Sequence, residues 1–482
     1  MSEAEFDLAI LGAGPGGYVS AIRAAHRGLR VALIEEKDLG GVCLHTGCIP
    51  TKTMIASVSL LRQARSAAQW GVTVSQAEAQ LAAINARRQK VVQQLAGGVK
   101  NLLEKNQVGV IRGRGVLKSP TQIEVTPPPA ATDPAQFANG NRQLAINTKA
   151  ILLATGSRPA DLPVARRDGV AIWNSDDLLA SSELPAELLI IGGGYIGCEF
   201  ASLYAALGSK VIVIEALPRL LPGLDRELGQ ALERSFKKQG IAVFLSAQIE
   251  QAKAAAPSRV TVTLAGGQTI SGGKMLISVG RVPNVERLGL EIAGVTLTGC
   301  AIAVDDFMET SAPGVFAIGD VTGKIALAHV ASAQGRVVVE NLLAVREGRT
   351  RKPMNYDAVP ACVFTHPEIA TVGLTEEEAA QRGLTVKVGR FPFAAIGKAL
   401  ATGETEGFVK LVADATTGRV LGGHIFGGHA AELIGQLTLA VRLCATAQQL
   451  TETIFAHPTL SEAILESAEA VFGQATHVFT RR

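Results

Sequence analysis

The sequence predicts an α/β fold built on two copies of one strand–turn–helix–strand unit, followed by a separate C-terminal α+β domain. Three observations predict it. From Phe6 to Glu35 the chain runs as an apolar strand, the turn Gly12-Ala13-Gly14-Pro15-Gly16-Gly17, an alanine-rich helix and the strand Val31-Ala32-Leu33-Ile34. Residues 187–215 repeat this plan with Gly192-Gly193-Gly194-Tyr195-Ile196-Gly197 and Glu215, and in each copy the first glycine stands 23 residues before the closing acid. After Pro353 the pattern turns to short strands and two late helices.

Composition bounds the function. The 482 residues suffice for about three domains. Apolar residues at 47%, charged residues at 18% and 51 glycines suit a tightly turned α/β protein rather than a disordered one. A net charge of +3 supplies no strong field for nucleic acid or an anionic membrane. No apolar run reaches the roughly 18 residues of a membrane span. The chain enters its strand pattern by Phe6, which leaves no room for a leader, so a complete chain is expected in the cytoplasm. Six cysteines are too few for a disulfide framework in a chain of this length, so the close pair Cys43 and Cys48 suggests redox or metal chemistry.

Between the repeats, apolar residues at helical spacing predict a long amphipathic helix over 85–106, interrupted by Gly97-Gly98. Residues 108–153 alternate as short strands, broken by an exposed loop at Pro127-Pro128-Pro129 and Asp133-Pro134 to which no function is assigned. A strand closes at Ala154-Thr155-Gly156, and another at 313–320 ends in Gly319-Asp320 before a helix beginning near Ala326.

A glycine-rich turn between strand and helix lets the backbone approach a pyrophosphate, and the helix N-terminus offers free N–H groups. A tight packing turn is the bland alternative, but two copies closed by acids that can accept from a ribose hydroxyl favour two Rossmann-like nucleotide sites. Glu215 would repel a 2′-phosphate, so the second site is expected to prefer NAD over NADP, while Arg219 nearby pulls the other way. In Cys43-Leu44-His45-Thr46-Gly47-Cys48, five residues of regular helix rise about 7.5 Å, beyond the roughly 6.8 Å Cα limit of a disulfide. Bridging therefore needs an irregular turn, which Gly40, Gly41 and Gly47 permit. Pro50 suits the first turn of a following helix, whose positive end would lower the pKa of a nearby thiolate. Zinc would need two further ligands that the neighbourhood does not offer, and inert thiols are the third alternative.

These residues, with Gly319-Asp320 and the terminal His457-Pro458-Thr459-Leu460-Ser461-Glu462, resemble nearly end to end the flavin disulfide reductases, and among them the dihydrolipoamide dehydrogenases. The resemblance implies two Rossmann-like domains plus a C-terminal dimerisation domain. It divides the chain into 1–155 (FAD, with the cysteines), 156–280 (NAD), 281–352 (second FAD part) and 353–482 (dimerisation). It implies FAD at Gly12, Gly14, Gly17, Glu35, Lys52, Gly156, Gly319, Asp320 and Ala328, and NAD at Gly192, Gly194, Gly197, Glu215 and Gly280. Cys43 matches the thiol that meets substrate, Cys48 the thiol against the flavin, Lys52 the residue beside the reactive flavin nitrogen and Glu199 its carboxylate partner. Arg281 also fits the family's pattern.

His457 matches the general base and Glu462 its orienting carboxylate, supplied across a homodimer interface. Thr459-x-x-Glu462 also reads as a capping box opening the last helix, which leaves a purely structural role open for Glu462. The implied activity is oxidation of protein-bound dihydrolipoamide through a Cys43–Cys48 disulfide and FAD to NAD, the partners being lipoyl domains of 2-oxoacid dehydrogenase complexes or of the glycine cleavage system. A glutathione-type reductase and a non-catalytic FAD-containing docking subunit are the alternatives. Glu215 counts against the first, and the set Cys43, Cys48, Lys52 and His457 against the second.

Val42, His45 and Thr51 depart from the family's common Thr, Asn and Ser. His45 is expected to be a structural histidine rather than an extra base. Cys198, Cys300, Cys362 and Cys444 are expected to be buried and unreactive, and Glu376-Glu377-Glu378 to be the solvated start of a helix. His424 and His429 lack the acids or cysteines of a metal site.

Overall fold

A computed structural model describes residues 5–127, 143–255 and 259–479. The proline-rich loop read at 127–140 lies, beyond Pro127, outside the described residues. The chain forms two compact units, one of residues 1–57, 80–160 and 281–354, the other of 58–79, 161–280 and 355–482.

In the first unit, continuous apolar runs form the parallel strands that burial on both faces demands. The sheet order is Val315–Ala317, Ile151–Leu153, Leu8–Leu11, Val31–Glu35, Gly109–Arg112, with every pair parallel. Helix Pro15–His26 packs on helix Ala328–Arg346 at a glycine crossing, where a Cβ on Gly335 would lie 1.9 Å from Ser20 Oγ. A four-stranded sheet of Glu5–Phe6, Leu144–Thr148, Gln122–Thr126 and Arg114–Ser119 completes the core, where Leu117, Ile123 and Ile146 pack with Leu11 and Ile34.

The second unit repeats the parallel plan in the order Ile172–Trp173, Lys274–Ile277, Glu187–Ile191, Lys210–Ile214, Ala242–Phe244. In both parallel sheets the strand leading to the glycine turn is central, and the strand that leads to the closing acid, ending at Glu35 or just before Glu215, is its neighbour. An antiparallel five-stranded sheet in the order Ala361–Val363, Glu368–Gly373, Val420–Gly427, Phe408–Asp414, Val386–Pro392 carries helices Ala430–Arg442 and Glu462–Ala470 against Val409, Leu411 and Ile425.

Several expectations are corrected. The long helix runs Leu81–Lys105, because Gly97 and Gly98 face open space and cost only propensity. Among the described residues beyond Pro353 there are five α-helices where two late ones were expected, since three of five or six residues fill connections too short to show a period. Cys300 and Cys444 are exposed, not buried. Cys300 sits in the turn between strands Leu297–Thr298 and Ala301–Ile302, and Cys444 has φ +57° just past a helix end.

Lys410 is buried, and its ammonium meets Asp225 at 2.9 Å, Glu227 at 2.8 Å and Glu376. Burial opposes its charge, but the three carboxylates hold its pKa above the ordinary lysine value. Asp225 also caps helix Arg226–Lys238 by accepting from Glu227 N–H. Replacing Lys410 with Met would leave the buried Asp225 without its cation, an expected loss of about 3 kcal/mol. A lower urea midpoint for the holoprotein checks this, and an unchanged midpoint would contradict it.

Candidate active site

The two glycine turns are built alike. Gly12 and Gly192 have φ +98° and +105°, and a Cβ there would strike Ala154 O at 2.3 Å and Ser278 O at 2.5 Å. Gly17 and Gly197 close the helix on the strand, since a Cβ would lie 1.8 and 1.9 Å from the carbonyls of Gly12 and Gly192. Gly14 and Gly194 face open space at the N-caps of their helices, a cradle that fits a pyrophosphate and that a side chain would fill. Glu35 accepts from Ala13 N–H and Lys37 N–H, both at 2.7 Å. Glu215 accepts from Gly193 N–H at 2.6 Å and Leu217 N–H at 2.8 Å. Each carboxylate thus ties the turn to the next strand, and its remaining lone pairs stay available to a ribose hydroxyl.

The cysteine segment leans on the first turn. Gly40 N–H donates to Ala13 O at 2.8 Å, and a Cβ on Gly41 would stand 2.7 Å from Gly14 Cα. Helix Gly41–His45 ends at Thr46, with φ −136°, and helix Cys48–Ser66 begins two residues later. This is the irregular turn the spacing required. Cys43 and Cys48 are thiols in hydrogen-bond contact. That contact and then burial push the Cys43 thiol well above its ordinary value, a negative Cys48 adds to the rise, and Lys52 acts in the opposite sense. The lowered pKa expected at a helix end therefore does not apply to Cys43. Cys48, not Cys43, occupies the first position of the longer helix. Tyr18, whose pKa rises with burial and with the nearness of Cys43, also borders the pair, and no motif marked it.

The departures have local explanations. His45 Nε2 pairs with Leu39 O at 2.9 Å, a structural role. Thr51 is buried and donates to Gly47 O at 2.7 Å, and Val42 is exposed.

Gly319 N–H donates to Gln334 Oε1 at 2.7 Å, and Ala328 opens the helix beyond. Asp320 accepts from Ser157 Oγ, which in turn accepts from Arg281 Nε at 2.7 Å. Ser157, which the sequence did not single out, therefore joins the Gly156 and Gly319-Asp320 segments; its place after a strand-ending glycine was the available signal. Gly156 and Gly280 have φ +69° and +130° with open space at their Cβ positions.

Glu199 is buried in the second unit, where its Oε1 accepts from Phe364 N–H at 3.0 Å, whereas Lys52 belongs to the first unit. His457 Nδ1 meets Glu462 Oε1 at 2.9 Å, leaving Nε2 outward on a side chain that is 78% exposed. Glu462 Oε2 accepts from Thr459 N–H at 2.9 Å. The predicted capping box does not open the helix, because Thr459 Oγ1 donates to Ala456 O and Glu462 is already the first helical residue. Partial burial raises the Glu462 pKa, but His457 and Thr459 outweigh it and hold the carboxyl below its ordinary range.

The remaining candidates are bonded elsewhere. Cys198 is buried and donates to Gly193 O. His424 is buried between Thr371 Oγ1 and Leu374 O, and His429 faces Glu404. No cluster of three potential metal ligands occurs among the described residues.

Residues 6–335 match the pyridine nucleotide-disulphide oxidoreductase family and 359–468 its dimerisation domain. The chain belongs to this family. It is 41% identical to the dihydrolipoyl dehydrogenase of Bacillus subtilis over 98% of this chain and 99% of the relative, and 41% identical to that of Zymomonas mobilis with the same coverage. Among solved structures, LpdA of Mycobacterium tuberculosis superposes with TM-score 0.87 at 32% identity, covering 96% of this chain and 99% of that one. The flavoprotein disulfide reductase RclA of Escherichia coli, as its Cu(II) complex, gives 0.84 at 29%, covering 97% and 99%. FAD and NAD are the cofactors of this pyridine nucleotide-disulphide oxidoreductase. No helix among the described residues is long and apolar enough to cross a membrane.

Because Cys48 is the leading cause of the Cys43 rise, Cys48→Ser should lower the Cys43 pKa, with burial alone left to hold it up. In the reduced holoprotein, the pH midpoint for alkylation of Cys43 should therefore drop by about one unit or more. An unmoved midpoint would show that Cys48 is not the cause.

Proposed function

We propose that the chain oxidises protein-bound dihydrolipoamide to lipoamide, passing two electrons through the Cys43–Cys48 pair and FAD to NAD. The observation that carries the reading is the thiol contact of Cys43 and Cys48 at a helix start packed on the first nucleotide turn. Likeness over nearly the whole chain to dihydrolipoyl dehydrogenases supports it.

In the oxidised enzyme, a thiolate of the substrate attacks Cys43 Sγ, forming a mixed disulfide and releasing Cys48 as thiolate at the helix N-terminus. His457 Nε2 takes the proton of the second substrate thiol, whose sulfur then closes the lipoyl ring and expels Cys43. Cys43, with its elevated pKa, then takes a proton readily. Glu462, held as carboxylate, fixes the Nδ1–H tautomer of His457 and stabilises the imidazolium. The chemistry that bound FAD supplies is two-electron transfer between the dithiol and NAD. Gly12, Gly14, Gly17, Glu35, Lys52, Gly156, Gly319, Asp320 and Ala328 would hold FAD, and Gly192, Gly194, Gly197, Glu215 and Gly280 would hold NAD. By the family's pattern, Lys52 would stand beside the reactive flavin nitrogen and Glu199 would be its carboxylate partner.

We assign 1–155 and 281–352 to FAD, 156–280 to NAD and 353–482 to dimerisation. The outward Nε2 of His457 suits a base that serves the cysteines of a second copy. Lipoyl domains of 2-oxoacid dehydrogenase complexes or of the glycine cleavage system are the substrate carriers. The reducing cytoplasm, which keeps lone cysteines such as Cys300 and Cys444 as thiols, is the compartment.

Cys43→Ser and Cys48→Ser should each abolish NADH formation from dihydrolipoamide while leaving the protein yellow with FAD, and turnover surviving in either would refute the pathway. His457→Gln should lower turnover by about 10²–10⁴-fold. Glu215→Ala should narrow the preference for NAD over NADP, measured as the ratio of their kcat/KM values. A constant ratio would remove Glu215 from nucleotide choice.

A further inference from the structure

The run Glu376-Glu377-Glu378 is a helix start whose three acids all have partners. Glu376 meets the buried Lys410, and Glu378 completes a capping box with Thr375. Glu377 binds Arg219 in parallel, Oε1 accepting from one terminal nitrogen at 3.1 Å and Oε2 from the other at 3.0 Å. The second of these nitrogens also donates to Pro222 O at 3.0 Å. Arg219 itself lies in a segment folded over the second nucleotide turn. Leu217 N–H is held by Glu215, the acid read as the ribose acceptor, and Leu221 N–H by Gly193 O at 2.9 Å, so the backbone of Arg219 is fixed between two anchors on the turn and its closing acid.

We propose that Glu377 is a positioning residue for nucleotide choice: by holding Arg219 in a two-bond clamp, it keeps the one cation of that segment from meeting a 2′-phosphate. The inference rests on the reading of Gly192–Glu215 as the NAD site and extends it. Glu215 supplies the repulsion of a 2′-phosphate, and Glu377 withholds the attraction that Arg219 would otherwise offer, since a guanidinium matches phosphate as well as carboxylate. The clamped Arg219 side chain remains 26% exposed and Glu377 46%, so the pair is a surface clamp rather than a core contact. The pKa directions agree, because Glu377 is held below and Arg219 above its ordinary value, each chiefly by the other.

The test uses the FAD-loaded full-length protein and measures affinity for 5′-AMP and for 2′,5′-ADP by titration calorimetry, alongside the NADP to NAD ratio of kcat/KM. Glu377→Ala frees Arg219, so 2′,5′-ADP should bind at least about fivefold tighter while 5′-AMP stays within about twofold. Adding Arg219→Ala should erase the gain. An unchanged 2′,5′-ADP affinity in Glu377→Ala, or a gain that survives loss of Arg219, overturns the proposal while leaving the NAD site intact. Failure of the parent protein to bind 5′-AMP overturns the NAD-site reading and this inference with it.

Discussion

Everything in the electron path depends on a backbone passing where no side chain fits. At Gly17 and Gly197 a single Cβ would overlap a carbonyl at under 2 Å, so the helix can lie close to its strand only if these residues are glycine. That closeness aims the helix N-terminus at the open faces of Gly14 and Gly194. The acids at the ends of the neighbouring strands then lock the turn by accepting its N–H groups. A carboxylate with two oxygens can do this and still receive a ribose hydroxyl. One residue type therefore serves folding and recognition together, which is why the two turns agree in detail although they lie 180 residues apart.

The cysteine segment borrows this rigidity. Gly40 bonds to Ala13, and Gly41 packs against Gly14, so the redox pair is positioned from the nucleotide turn itself. The break between helices Gly41–His45 and Cys48–Ser66 then brings together two thiols that a regular helix would hold too far apart. Their asymmetry follows from place: Cys48 starts a long helix, whereas Cys43 is half-buried against it and keeps its proton.

Charge in the second unit is arranged by the same economy of partners. The buried Lys410 gathers Asp225, Glu227 and Glu376, which ties the capped helix Arg226–Lys238 to the antiparallel sheet. Glu377 on the neighbouring helical position engages Arg219, and Glu462 divides its oxygens between His457 and Thr459. In each case a carboxylate with two oxygens fixes two elements at once.

The sequence by itself determined what periodicity and spacing encode. The paired units around Gly12 and Gly192, the closing acids Glu35 and Glu215, the need for a break between Cys43 and Cys48, and a long helix read over 85–106 are all local patterns. Their physical causes act over a few turns of chain. The partners of charged and polar groups lay beyond that reach. Ser157 between Arg281 and Asp320, Lys410 among three carboxylates, Glu377 on Arg219 and the divided oxygens of Glu462 join residues that are mostly far apart in sequence. The exposure of Cys300 and Cys444 was decided the same way, by a hairpin turn and a helix end. A side chain's partner depends on which distant segment folding brings within about 3 Å of it, and only the tertiary structure decides that.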